Sequence, residues 1–145
     1  MVGVLILTHG ELAEELLAAA RKIAGPLEQF EALPLEWSDG LDEAHRKVSR
    51  AIERLDSGDG VLVLVDIFGG TPSNAAMAFV EEGKVDVVSG VNLPMVVRLG
   101  CLGLAEMPLA ELTSWIREKG RDSICCGSET PTARRQPATA PDADC

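Results

Sequence analysis

A chain of 145 residues, 46% apolar and 25% charged, is long enough to bury one sizeable core and is composed unlike a disordered or fibrous protein. Thirteen Lys and Arg against 23 Asp and Glu leave a formal net charge of −10, which repels a nucleic-acid backbone or an anionic membrane surface, so neither is an expected partner. The longest aliphatic runs, Val2 to Leu7 and Val61 to Val65, fall far short of the roughly 20 residues that span a bilayer, and no basic segment with a cleavage site precedes the first; no membrane insertion and a cytoplasmic location are expected.

Val2 to Leu7 is a continuous apolar run, the pattern of a strand covered on both faces, and it leads into Thr8-His9-Gly10. Leu12, Leu16, Leu17, Ala20, Ile23 and Ala24 then share one helical stripe, closed by Gly25-Pro26. A softer second strand is read within Leu27 to Leu35. Ser38-Asp39-Gly40 opens a second helix, whose apolar residues Leu41, Ala44, Val48, Ile52 and Leu55 step by three and four. Val61 to Val65 is another buried strand, ending in Asp66 and a glycine-bearing loop. Thr71 as N-cap and Pro72 as first helical residue predict a helix to about Glu82. Val85 to Val88 reads as a strand, Pro94 to Leu102 as a short apolar helix and Pro108 to Lys119 as a last helix.

Strands alternating with helices on short connections predict an α/β fold: a doubly wound, mainly parallel sheet of four to five strands with helices on both faces. Residues 1–125 form the domain. The last twenty residues contain three prolines and no Val, Ile, Leu, Met or aromatic side chain, and are expected to be a disordered Pro/Ala/Thr tail. Cys101, Cys125, Cys126 and Cys145 show neither a CxxC pair nor zinc spacing and are read as reduced thiols; no metal and no cofactor are expected. Nucleotide cradles of the GxxxxGK[ST] and GxGxxG types are absent from the sequence.

Sites in such folds lie beyond the carboxyl ends of the strands, where Thr8-His9-Gly10 and Asp66 to Thr71 both emerge. If the two strands are neighbours, Asp66 can accept a proton from one nitrogen of His9 and leave the other as a nucleophile. Gly69-Gly70-Thr71 add close-approaching N–H donors and a hydroxyl suited to an oxyanion, so the chemistry fits reversible phosphoryl transfer. Taken singly, one histidine after a strand is more often a structural hydrogen-bonder, and a Gly-Gly turn often serves only the backbone. Of the remaining candidates, His45 is read as a surface residue, and Trp37 and Trp115 as partly buried packing.

Three segments together, VLILTHG (Val4 to Gly10), VLVLVDIFGGTPSNAA (Val61 to Ala76) and SGVNLPM (Ser89 to Met95), resemble the enzyme IIA component of the mannose family of the bacterial phosphoenolpyruvate-dependent sugar phosphotransferase system. The likeness covers roughly residues 1 to 125. It implies a phosphohistidine relay in which His9 accepts a phosphoryl group from phospho-HPr and passes it to an enzyme IIB domain, with Asp66 bonding the ring. It also implies that Thr71, Gly69, Gly70 and Gly10 surround the phosphoryl group, while Ser73, Asn74, Asn92, Leu93 and Pro94 belong to the loops facing a partner. The resemblance further implies a homodimer that exchanges an antiparallel edge strand, for which Asp122 to Cys125 is the candidate segment; many relatives continue through a Pro/Ala-rich linker into a IIB domain, for which this sequence leaves no room, so a IIB acceptor on a separate chain is expected. Three other readings stay open: a regulatory module whose His9 phosphorylation controls partner binding without sugar transport, the phosphocarrier subunit of a dihydroxyacetone kinase, against which IFGGTP counts, and an inert α/β domain.

Overall fold

The computed structural model describes residues 1–103 and 107–129. In chain order the elements are β1 (Gly3–His9), α1 (Leu12–Ala24), β2 (Phe30–Leu35), α2 (Leu41–Leu55), β3 (Val61–Val65), α3 (Thr71–Met77), β4 (Val85–Ser89), α4 (Leu93–Leu102) and α5 (Leu109–Asp122). The four strands form one sheet in the order β2-β1-β3-β4, every adjacent pair parallel. Alternate residues of the central strands feed two cores. Val4, Ile6, Leu62 and Leu64 pack with α1, α4 and α5, whereas Leu5, Leu7, Val63 and Val65 pack with α2 and α3. Burying each such side chain is worth about 1.5–3 kcal/mol, so the register that sets the strand ends is fixed by both faces at once.

That register places the site. Leu7 is level with Val65 across β1 and β3, and β1 runs on to pair His9 with Leu35 of β2. The chain then turns sharply: Gly10 takes φ +55, a left-handed conformation that suits glycine, and its N–H donates to the Leu35 C=O at 3.1 Å. The Thr8 side chain is fully buried, and its Oγ1 accepts the Ala13 N–H at 2.8 Å, satisfying one of the free amides at the start of α1. Thr8 therefore ties the residue before His9 to the helix after it.

Several boundaries differ from the sequence expectation. α3 begins one residue early, with Gly70 as N-cap, and stops at Met77 instead of near Glu82. Beyond it Phe79 packs on the second core, and Glu81 bonds Val85 to start β4, so tertiary contacts override the helical pattern. The candidate exchange segment, Asp122 to Cys125, is not a strand in this chain: α5 runs through Asp122, and Ser123 closes it by donating to the Lys119 and Gly120 carbonyls. Cys125 is an exposed free thiol, whereas Cys101 is disulfide-bonded, so the reading of four reduced thiols fails there. The tail expected to be disordered lies, from residue 130 on, outside the described residues. Among the described residues no helix is long and apolar enough to cross a membrane.

Candidate active site

Because β1 and β3 are neighbours, the segments leaving their carboxyl ends emerge side by side, and His9 meets Asp66 there. The His9 ring Nδ1 lies 2.8 Å from Asp66 Oδ2, and the backbone N–H of His9 donates to the same oxygen at 3.0 Å. Asp66 Oδ1 accepts the Ile67 N–H at 2.9 Å. An ionised carboxylate only accepts hydrogen bonds, so it selects the tautomer with the proton on Nδ1 and leaves the lone pair on Nε2. The two side chains are 24% and 14% exposed, enough for a docked partner to reach the ring edge.

Burial pulls the Asp66 carboxyl upward, but hydrogen bonds from the His9 ring, the His9 amide and the Ile67 amide outweigh it and hold it below the ordinary value of 3.8. With the folded value depressed, its stabilisation is fully present above about pH 4 and is lost as pH falls through the folded value. The wild-type melting temperature is therefore expected to fall more steeply with acidification below that pH than that of Asp66→Asn. Parallel curves would show that these bonds add nothing to stability.

The glycine loop closes on the other side of the ring. A methyl group at Gly70 would stand 2.7 Å from His9 Cε1 and 3.0 Å from Nε2, so the backbone runs against the nitrogen that is left free. The Gly70 and Thr71 amides precede the first intrahelical bond of α3, from the Asn74 N–H to the Gly70 C=O at 2.9 Å. Gly69 behaves differently from expectation: its N–H is taken by Ser73 Oγ at 3.2 Å. Ser73 is 1% exposed, so it shapes this loop from beneath and offers nothing to a docking surface. Asn74 is exposed and its Nδ2 donates to the Gly69 C=O at 3.4 Å.

The loop after β4 supports the site from behind. Gly90 N–H donates to the Asp66 C=O at 3.2 Å and Val91 N–H to the Val65 C=O at 3.0 Å. Asn92 spends its side chain on the Met95 N–H and on Ser123 Oγ, at 3.0 and 2.9 Å, so it caps α4 and ties it to the end of α5; it is not aimed at His9. Leu93 packs against the first core and Pro94 is exposed.

Trp37 is the residue that sequence reasoning missed. It does not pack into the core: it is 81% exposed and stacks on the His9 ring, with centroids 5.2 Å apart and planes 24° from parallel. The available signal was topological, since Trp37 lies two residues past the carboxyl end of β2, the other neighbour of β1. Trp115 is half-buried as expected, and His45 is half-buried edge-on to Phe79 instead of free on the surface.

Fold and site together define an α/β domain that presents a carboxylate-held imidazole at its strand ends. A family model described as "PTS system fructose IIA component" matches residues 3–113, and the chain belongs to that family, the enzyme IIA components of the sugar phosphotransferase system. It is 33% identical over 131 residues to the PTS system fructose-specific EIIA component of Bacillus subtilis, covering 89% of this chain and 88% of that protein. It is 31% identical over 140 residues to the PTS system mannose-specific EIIAB component of Escherichia coli K12; this takes in 96% of the chain, which spans only 43% of that relative's length. Among solved structures, the mannose/sorbose-specific IIA subunit from Enterococcus faecalis superposes with a TM-score of 0.77 at 28% identity, over 86% of this chain and 93% of that one. Family membership supports a phosphotransfer role in a sugar phosphotransferase system.

Proposed function

We propose that His9 is a phosphoryl carrier that accepts from phospho-HPr and donates to an enzyme IIB domain, in the cytoplasm. The observation that carries this reading is the 2.8 Å contact between Asp66 Oδ2 and Nδ1, which leaves Nε2 unprotonated against the Gly70 backbone. The Nε2 lone pair attacks phosphorus, a P–N bond forms, and the bond to the donor breaks with its electron pair staying on the donor. The ring gains positive charge as this happens, and the adjacent carboxylate stabilises it without moving. Transfer onward reverses the step: the acceptor attacks phosphorus and the P–N pair returns to Nε2. In this reading the Gly70 and Thr71 amides and the Thr71 hydroxyl receive the phosphoryl oxygens. Gly10 carries the left-handed turn that follows His9, while in this reading exposed Ile67, Phe68 and Asn74 face an incoming partner.

Residues 1–125 act as one IIA unit in this reading, and a homodimer is part of it. β4 is a sheet edge with no further strand beside it among the described residues, and a groove of about 620 Å³ lies between it and α5. Such an edge can accept a strand from a second copy.

Incubation with phosphoenolpyruvate, enzyme I and HPr, followed by intact mass and acid treatment, tests the carrier role. One acid-labile phosphoryl group is expected on the wild type and none on His9→Ala. An acid-stable phosphate, or no uptake, overturns it. Adding IIB and sugar then separates a relay from a regulatory module, which would hold its phosphate without yielding a sugar product.

A further inference from the structure

Trp37, one of two tryptophans in the chain, is left exposed, yet the turn that carries it is held in place. Three hydrogen bonds close the turn that carries it. Asp39 N–H donates to the Glu36 C=O at 3.0 Å, Glu36 N–H donates to Asp39 Oδ2 at 3.0 Å, and Lys47 of α2 donates to the same carboxylate at 2.6 Å. The bond from Gly10 N–H to Leu35 C=O ties the base of this turn to the end of β1. The indole is thus placed over His9 by the framework and not by its own burial.

The imidazole consequently meets Asp66 at Nδ1, Gly70 along the Cε1–Nε2 edge and the Trp37 indole over one face. We propose that Trp37 is a positioning and shielding residue: its stack fixes the rotation of the His9 ring and keeps water from one face of a phosphoryl group carried on Nε2. This rests on the carrier reading of His9 given above. Wasteful loss to water forms a bond from the water oxygen to phosphorus and breaks P–Nε2. The electron pair returns to the ring, the phosphate leaves with both water hydrogens, and Nδ1 keeps its proton. While phosphorylated the ring is cationic, and the electron-rich face of an indole favours a cation stacked on it.

The phosphorylated wild type, Trp37→Phe and Trp37→Ala, freed of donor, are to be followed by intact mass as the acid-labile phosphate decays. Trp37→Ala is expected to shorten the lifetime about fivefold, and Trp37→Phe, which keeps a stacking face, to stay within about twofold of wild type. The KM for phospho-HPr should be unchanged. Equal lifetimes with a raised KM would make Trp37 a docking side chain and overturn the proposal. Nitrogen NMR of the unphosphorylated proteins reads positioning separately: the fraction of His9 with its proton on Nδ1 should fall in Trp37→Ala and recover in Trp37→Phe, and an unchanged fraction overturns it. If wild type takes up no phosphate, the carrier reading fails first, and the NMR result still decides whether the stack orients the ring.

Discussion

Asp66→Asn is expected to slow phosphoryl transfer by about 10²–10³-fold, equivalent to roughly 3–4 kcal/mol of barrier. The native carboxylate accepts from three donors: the ring and the main chain of His9 at one oxygen, and Ile67 at the other. An amide cannot serve all three. With its oxygen toward His9, its NH2 opposes the Ile67 N–H and the counter-charge for the phosphorylated ring is lost. With its NH2 toward His9, Nδ1 must become the acceptor and the proton moves to Nε2, which ends its nucleophilicity. The stability loss is smaller, about 1–2 kcal/mol or roughly 3–8 °C in Tm, because the pair sits at the rim of the sheet and not within either core. Rapid-quench transfer rates set beside thermal melts will show the ordering. A large fall in Tm with near-normal transfer would make Asp66 a brace and not a participant.

Gly70→Ala should cost about 10²-fold in transfer with the fold retained. Gly70 has φ −83 and ψ 174, extended backbone open to any residue, so the substitution brings no dihedral strain of its own. Its whole effect is contact. A methyl group 2.7 Å from Cε1 forces either the ring off Asp66 or the loop away from the ring, and either movement crowds or misplaces the phosphoryl group on Nε2. Gly69 makes the contrast. Its φ is +95 and a methyl group there would meet nothing within 4 Å, so alanine at that position strains the backbone without touching the imidazole. Phosphate uptake by Gly70→Ala at the wild-type rate would mean that the loop yields freely and does not form the wall of the site.

The apolar runs and helical stripes made most of the scaffold legible. α1, α2 and β3 were readable to the residue because their patterns are undisturbed and their stops are marked by Gly25-Pro26, by Ser57-Gly58 and by Asp66. The pairing of His9 with Asp66 followed from both segments leaving strand ends, although strand order came only with the sheet. What stayed hidden depended on individual contacts that no periodicity encodes. The end of α3 is set by Phe79 and Val85, and the fate of Ser73 by a loop amide four residues back. The place of Trp37 is set by a lysine ten residues on, acting through Asp39. The exchange segment was inferred from family likeness alone, and there α5 runs on through Asp122 and is closed by Ser123 on the Lys119 and Gly120 carbonyls.

One carboxylate oxygen serves both the ring and the main chain of the same histidine. Any change in how strongly the imidazole pulls on that oxygen must redistribute its electron density toward or away from the neighbouring amide. The His9 amide proton is therefore a built-in gauge, whose chemical shift should track the chemical state of the side chain without any label on the ring itself.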